Sequence, residues 1–78
     1  MFHILVVEDD RDLRELFCET LIDNGFNTIS AIDGVDALRV LENSYVDLII
    51  TDIMMPKMDG YSLIEELRRS NITIPVLI

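Results

Sequence analysis

The chain has 78 residues, half of them hydrophobic and 27% charged, with 15 acidic against 6 basic side chains and a formal net charge of -9. A chain this short forms one domain, and a domain near 60 residues buries only about 60% of its unfolded surface, so its packing must be good. The mean hydropathy of +0.33 excludes a disordered chain. The single cysteine excludes an internal disulfide scaffold and a cysteine zinc cluster. The acidic surplus opposes nucleic-acid binding and suits a cation or a basic partner.

Taken in chain order, Ile4, Leu5, Val6 and Val7 form a continuous apolar run, the pattern of a strand buried on both faces. The run is too short for a signal peptide or a membrane span, and Glu8, Asp9 and Asp10 follow it directly, so a cytoplasmic location without membrane contact is expected. From Asp12 the spacing becomes helical, with Leu13, Leu16, Phe17 and Leu21 on one face and Cys18 and Ile22 beside it. Asn24 and Gly25 stop that helix. Residues 26–32 are β-prone but more polar, which suits an edge strand. Asp33 reads as a helix N-cap, with Asp36 three residues on, and Ala37, Leu38 and Leu41 make a short helical stripe. Residues 46–51 are a second strongly apolar strand, ended by Asp52. Residues 53–60 contain Pro56 and Gly60 and read as a loop. Tyr61, Leu63, Ile64 and Leu67 restore a helix through Ser70, and residues 74–78 begin a fourth strand.

Strict alternation of strand and helix implies a parallel sheet in an α/β fold. The first and third strands are the most apolar and form the central pair, with the polar second strand at the edge. The expected strand order is 2-1-3-4, a doubly wound, flavodoxin-like sheet with its switch point between strands one and three. Ligands of such sheets bind at the carboxyl ends of the strands beside the switch point. Glu8 and Asp9 leave the first strand there, and Asp52 leaves the third. Three carboxylates sharing one crevice raise one another's pKa unless a cation relieves them. Mg²⁺ suits one or two carboxylates completed by water and phosphate, and no histidine or cysteine stands near in sequence to favour zinc. A carboxylate beside Mg²⁺ can itself accept a phosphoryl group.

The residues alone leave two readings open: a Mg²⁺ site with Asp52 as nucleophile, or acids that cap helices and turns. Asp10 and Asp12 are assigned to the N-terminus of the first helix, where carboxylates are stabilising. His3 is read as an exposed strand-start residue and Cys18 as a packed thiol. Met54, Met55 and Met58 are assigned to loop packing. Arg11, Arg14 and Lys57 are assigned to pairing with nearby carboxylates, and Arg68 and Arg69 to the basic last turn of the third helix. A phosphohydrolase of the haloacid-dehalogenase type needs a second aspartate two residues after the first, where this chain has Met54. A nucleotide-binding loop is absent among the three glycines Gly25, Gly34 and Gly60.

The run from Ile4 to Asp10 with Leu13 and Arg14, the stretch Asp52-Ile53-Met54-Met55-Pro56-Lys57-Met58-Asp59-Gly60, and Asp33-Gly34 leading to Ala37-Leu38 together resemble the receiver domain of bacterial two-component response regulators. The resemblance spans the whole chain, and the stretch from Asp52 to Gly60 is its most specific part. Chemotaxis receivers are standard examples of the 2-1-3-4 order, so topology and resemblance are not independent here. The resemblance implies a phosphorelay module rather than an enzyme. Asp52 would be the phosphoacceptor, supplied by a sensor histidine kinase or a phosphotransfer protein. Glu8, Asp9, Asp52 and the backbone carbonyl of Met54 would hold Mg²⁺, with Pro56 and Gly60 shaping the loop.

Receivers continue past their fourth strand to a switch hydroxyl at that strand's end, a further helix, a phosphate-binding lysine at the end of a fifth strand, and a last helix. Neither the hydroxyl nor that lysine is matched here, and the one lysine, Lys57, stands in the loop. The 78 residues are therefore expected to be the N-terminal part of one receiver domain, lacking its last helix-strand-helix part. Right-handed crossovers place the first helix on one sheet face and the next two on the other. Alternate residues of either the Val46-Leu48-Ile50 set or the Asp47-Ile49-Thr51 set would then lie uncovered on the first helix's side. Self-association or element swapping through that face is expected, and a non-switching interaction fragment is the alternative reading.

Overall fold

A computed structural model describes residues 1–51 and 60–77. The elements run β1 (His3–Val7), α1 (Arg11–Asp23), β2 (Asn27–Ala31), α2 (Gly34–Asn43), β3 (Leu48–Thr51), α3 (Gly60–Arg69) and β4 (Val76–Leu77). The strands form one parallel sheet in the order β2-β1-β3-β4, as the alternating pattern requires. Central β1 is buried from Ile4 to Val7, which explains its lack of polar alternation.

Strand parity divides the core. Leu5, Val7 and Ile49 pack with Ala31, Ala37, Val40, Val46, Leu63 and Leu67 into one cluster under α2 and α3. Ile4 and Val6 are also buried but belong to the opposite face, where α1 lies against β1 and β2. The register pairs Ile4 with Leu48 and Val6 with Ile50, and Ile50 with Leu77. Leu48 and Ile50 are only half-buried and Leu77 is 57% exposed. The uncovered set is thus Leu48, Ile50 and Leu77, whereas Ile49 and Thr51 are buried and Val46 joins the main cluster.

The helix ends follow local rules. Asp10 caps α1, its carboxylate accepting the backbone N–H groups of Asp12 and Leu13 at 2.9 and 3.2 Å. Asp33 caps α2 by accepting the Asp36 N–H at 2.7 Å, and Asp36 reaches back to the Ile32 N–H at 3.1 Å. At the end of α1 the Phe26 N–H donates to the Leu21 carbonyl and the Gly25 N–H to that of Ile22, with Gly25 at φ 90°. This is a Schellman closure. The end of α3 repeats it, with Ile72 donating to Leu67 and Asn71 to Arg68, and Asn71 at φ 57°.

One expectation needs correction. The apolar stripe of α1 is not the face turned to the sheet. Leu13, Leu16 and Phe17 are all exposed, and no residue of α1 is fully buried. The least exposed positions are Arg14, Cys18 and Leu21, spaced i, i+4, i+7 along a neighbouring row. Only the stripe's Leu21 edge and the adjoining row are turned toward β1 and β2.

His3 also departs from the expectation of an exposed residue. It is half-buried, its backbone N–H donates to the Asp47 carboxylate at 2.8 Å, and its ring meets Tyr45 edge-on at 5.9 Å.

Candidate functional site

Val7 and Thr51 are register partners at the carboxyl ends of β1 and β3. In sequence, Glu8 follows the first and Asp52 the second. The switch point of the sheet therefore coincides with the acidic positions on the β1 side. Asp52, Met54 and Pro56, with Met55, Lys57 and Met58, lie outside the described residues. Gly60 opens α3.

Glu8 extends β1 by one further bond, its N–H donating to the Ala31 carbonyl at 3.1 Å, and it is only 5% exposed. One carboxylate oxygen, Oε2, accepts the Asp10 N–H at 3.1 Å. Its backbone carbonyl accepts the Arg14 guanidinium at 2.9 Å. Asp9 is exposed, and among the described residues no hydrogen bond or ion pair holds its carboxylate. Asp10 and Asp12 behave as the sequence suggests: Asp10 is occupied with capping and Asp12 sits in the first turn of α1.

The described donors are carboxylate oxygens, the hard type that Mg²⁺ prefers. Glu8 is held by its own turn and Asp9 is open to solvent, so the pair fits a cation that keeps most of its water. Among the described residues no cluster of three or more histidine, cysteine or acidic side chains forms a closed metal cage.

Two links went unread in the sequence, Arg14 to Glu8 and His3 to Asp47. Arg14 bonds the Glu8 backbone rather than a carboxylate, a contact with no local signature in the sequence. Arg11 instead pairs with Glu15 on the surface at 3.1 Å. Asp36, on α2 behind the site, is held below its ordinary 3.8 by the Arg39 hydrogen bond and by the Ile32 N–H. At the far end of the sheet, the His3 N–H holds the Asp47 carboxyl below its ordinary value, and Asp47 in turn pushes the Tyr45 hydroxyl up. The capping-box spacing gave notice of Asp36; the Asp47 link joins residues 44 apart in sequence and has no local signature.

Residues 4–78 match the family model described as the response regulator receiver domain. The chain is 42% identical over 74 residues to the sensor histidine kinase RcsC of Escherichia coli K12, covering 95% of this chain and 8% of that protein. It is 40% identical over 75 residues to the response regulator MprA of a Mycobacterium species (strain KMS), covering 96% of this chain and 33% of the relative. It therefore spans a third or less of these curated relatives. Among solved structures, the receiver domain of the Francisella response regulator 1452 superposes with a TM-score of 0.92 at 37% identity, covering 97% of this chain and 63% of that one. The response regulator TrrA of Thermotoga maritima, solved in complex with Mg²⁺ and BeF, gives 0.90 at 34% identity, with 97% and 66% covered. Among the described residues no helix is long and apolar enough to cross a membrane. With the strand order, the acidic turn after β1 and the family match in agreement, this chain belongs to the response regulator receiver domain family.

Proposed function

We propose that the chain acts as a phosphoacceptor module in two-component signalling, taking a phosphoryl group on Asp52 from a sensor histidine kinase or a phosphotransfer protein. The observation that carries this reading is the Val7–Thr51 pairing, which brings the strand preceding Asp52 in sequence beside the strand that delivers Glu8 and Asp9. An Asp52 carboxylate oxygen attacks phosphorus, the phosphorus–nitrogen bond to the donor imidazole breaks, and the freed nitrogen takes a proton. Glu8, Asp9, Asp52 and the Met54 carbonyl would hold Mg²⁺, which neutralises charge on the transferring group. Pro56 and Gly60 shape the loop between Asp52 and α3. The chain contributes the acceptor and metal ligands; turnover of a separate substrate is not part of the reading. The acidic surplus of the chain suits the cytoplasm.

The test is incubation with a small acyl-phosphate donor and Mg²⁺, read by intact mass. The phosphoryl adduct is expected on the unmodified chain and lost in Asp52→Asn. An adduct formed at the same rate in that variant rejects the assignment.

A second reading, an interaction fragment that associates with itself or swaps elements without switching, is favoured by the exposed Leu77 and half-covered Leu48 and Ile50. Light scattering over a dilution series separates the two, since a monomer at all concentrations excludes self-association.

A further inference from the structure

We propose that Arg14 is the positioning residue of the acidic turn, its guanidinium fixing the Glu8 carbonyl and thereby the direction in which Asp9 leaves the sheet. The inference deepens the Mg²⁺ reading above and rests on it for its metal-binding consequence.

The argument begins with an anomaly of burial. On α1, Leu13, Leu16 and Phe17 are exposed while Arg14 is half-buried in the row turned to the sheet. Burying the stem and head of an arginine in place of an available leucine needs a compensating bond. That bond is Nη1 donating to the Glu8 carbonyl at 2.9 Å, across six residues. A hydrogen bond from a charged donor is stronger than a neutral one, and this one acts on backbone.

The carbonyl concerned belongs to the peptide unit joining Glu8 to Asp9. Glu8 is already tied on its other side by its N–H to Ala31, and its carboxylate closes onto the Asp10 N–H. With the carbonyl also held, the plane of the Glu8–Asp9 peptide is fixed between β1 and α1. Asp9 then has its Cα placed while its carboxylate stays exposed and uncommitted. A ligand presented this way needs little ordering when a cation arrives. Among the described residues, the hydrogen bond that Arg14 makes goes to backbone and not to that carboxylate.

Positioning and simple charge give opposite signs. A cation beside an acidic pair lowers its affinity for Mg²⁺, so removing charge alone would tighten binding. Removing an outer support loosens it, commonly by tenfold or more. The experiment uses the full chain with Arg14→Met and Arg14→Lys, following ¹H–¹⁵N signals during Mg²⁺ titration and amide exchange without metal. Arg14→Met is expected to weaken Mg²⁺ binding about tenfold, with Arg14→Lys recovering part of the loss, and to speed exchange at Asp10 while Cys18 exchanges as before. Unchanged or tighter Mg²⁺ binding in Arg14→Met, with Asp10 exchange unaltered, overturns the proposal. If the unmodified chain binds no Mg²⁺, the metal reading fails separately, and Asp10 exchange alone decides whether Arg14 holds the turn. Should Arg14→Met unfold, Arg14→Gln, which keeps an N–H donor but no charge, takes its place: Asp10 exchange and Mg²⁺ binding near those of the unmodified chain support positioning, and binding tighter than the unmodified chain overturns it.

Discussion

Glu8 and Asp9 are neighbours in sequence with opposite surroundings: Glu8 is 5% exposed and bonded to the Asp10 N–H, whereas Asp9 is exposed. On the reading proposed above, Glu8 would hold the turn as well as the cation, and Asp9 the cation alone. Glu8→Ala leaves a backbone donor without its acceptor and opens a buried position, a loss expected to cost about 1–3 kcal/mol. Asp9→Ala touches nothing structural, so its stability should stay within about 0.5 kcal/mol of the unmodified chain. Its Mg²⁺ affinity should nevertheless fall by at least about tenfold. Urea unfolding without metal and Mg²⁺ titration on both variants check the division. A large stability loss in Asp9→Ala would contradict it.

The exposure of the α1 stripe makes a second contrast. Leu63 is fully buried in the cluster under α2 and α3, and Leu16 is 55% exposed on α1. Leu63→Ala should cost about 2–5 kcal/mol through lost transfer energy and an incompletely collapsed cavity. Leu16→Gln should change stability by no more than about 0.5 kcal/mol. If Leu16→Gln proved as damaging as the core change, the stripe would be covered in solution, and a concentration-dependent midpoint would show that a second molecule covers it.

Acid should weaken the fold through Asp36 and Asp47. Arg39 and the Ile32 N–H lower the first, and the His3 N–H lowers the second, both from an ordinary 3.8. A carboxyl whose folded pKa is depressed contributes stability that is fully present above its unfolded pKa. That contribution disappears as pH falls through the folded value. The urea midpoint should thus hold steady down to about pH 5 and decline below about pH 4. Asp47→Asn keeps an acceptor for the His3 N–H but removes one titration, so its midpoint should fall less steeply over the same interval. Parallel slopes in the two proteins would remove Asp47 from the account.

Strand order, element sequence and helix caps were legible because each has a local cause: the apolar runs at residues 4–7 and 46–51, the caps Asp10 and Asp33, the stop at Asn24 and Gly25. The acidic turn after β1 was legible for the same reason. The facing of α1 was not, since hydrophobic periodicity reports where apolar residues lie on a helix but not which of them a neighbour covers. Leu13 and Leu16 carry the same pattern whether or not a neighbour covers them. The Arg14–Glu8 and His3–Asp47 links were hidden too, because each joins a side chain to backbone or to a distant strand. Asp52 was read from its sequence neighbourhood.

The two Schellman closures provide the last prediction. Gly25 and Asn71 occupy equivalent positions after α1 and α3, with φ of 90° and 57°. A Cβ at Gly25 would meet nothing within 4 Å, so a substitution there meets no steric barrier from the surroundings. Its cost comes from the backbone alone, because an L-residue in the left-handed region loses roughly 1–2 kcal/mol. Gly25→Ala should therefore lower stability by about that amount without disturbing the core, leaving near-native circular dichroism. Asn71 already tolerates the left-handed region better than most side chains, so Asn71→Gly should stay within about 0.5 kcal/mol of the unmodified chain. Asn71→Val should be clearly destabilising, since a β-branched side chain is poorly accommodated at positive φ. Thermal melts of the three variants test the shared geometry. Equal stability of Asn71→Val and Asn71→Gly would mean that α3 ends differently in solution and that Ile72 reaches Leu67 without the left-handed residue.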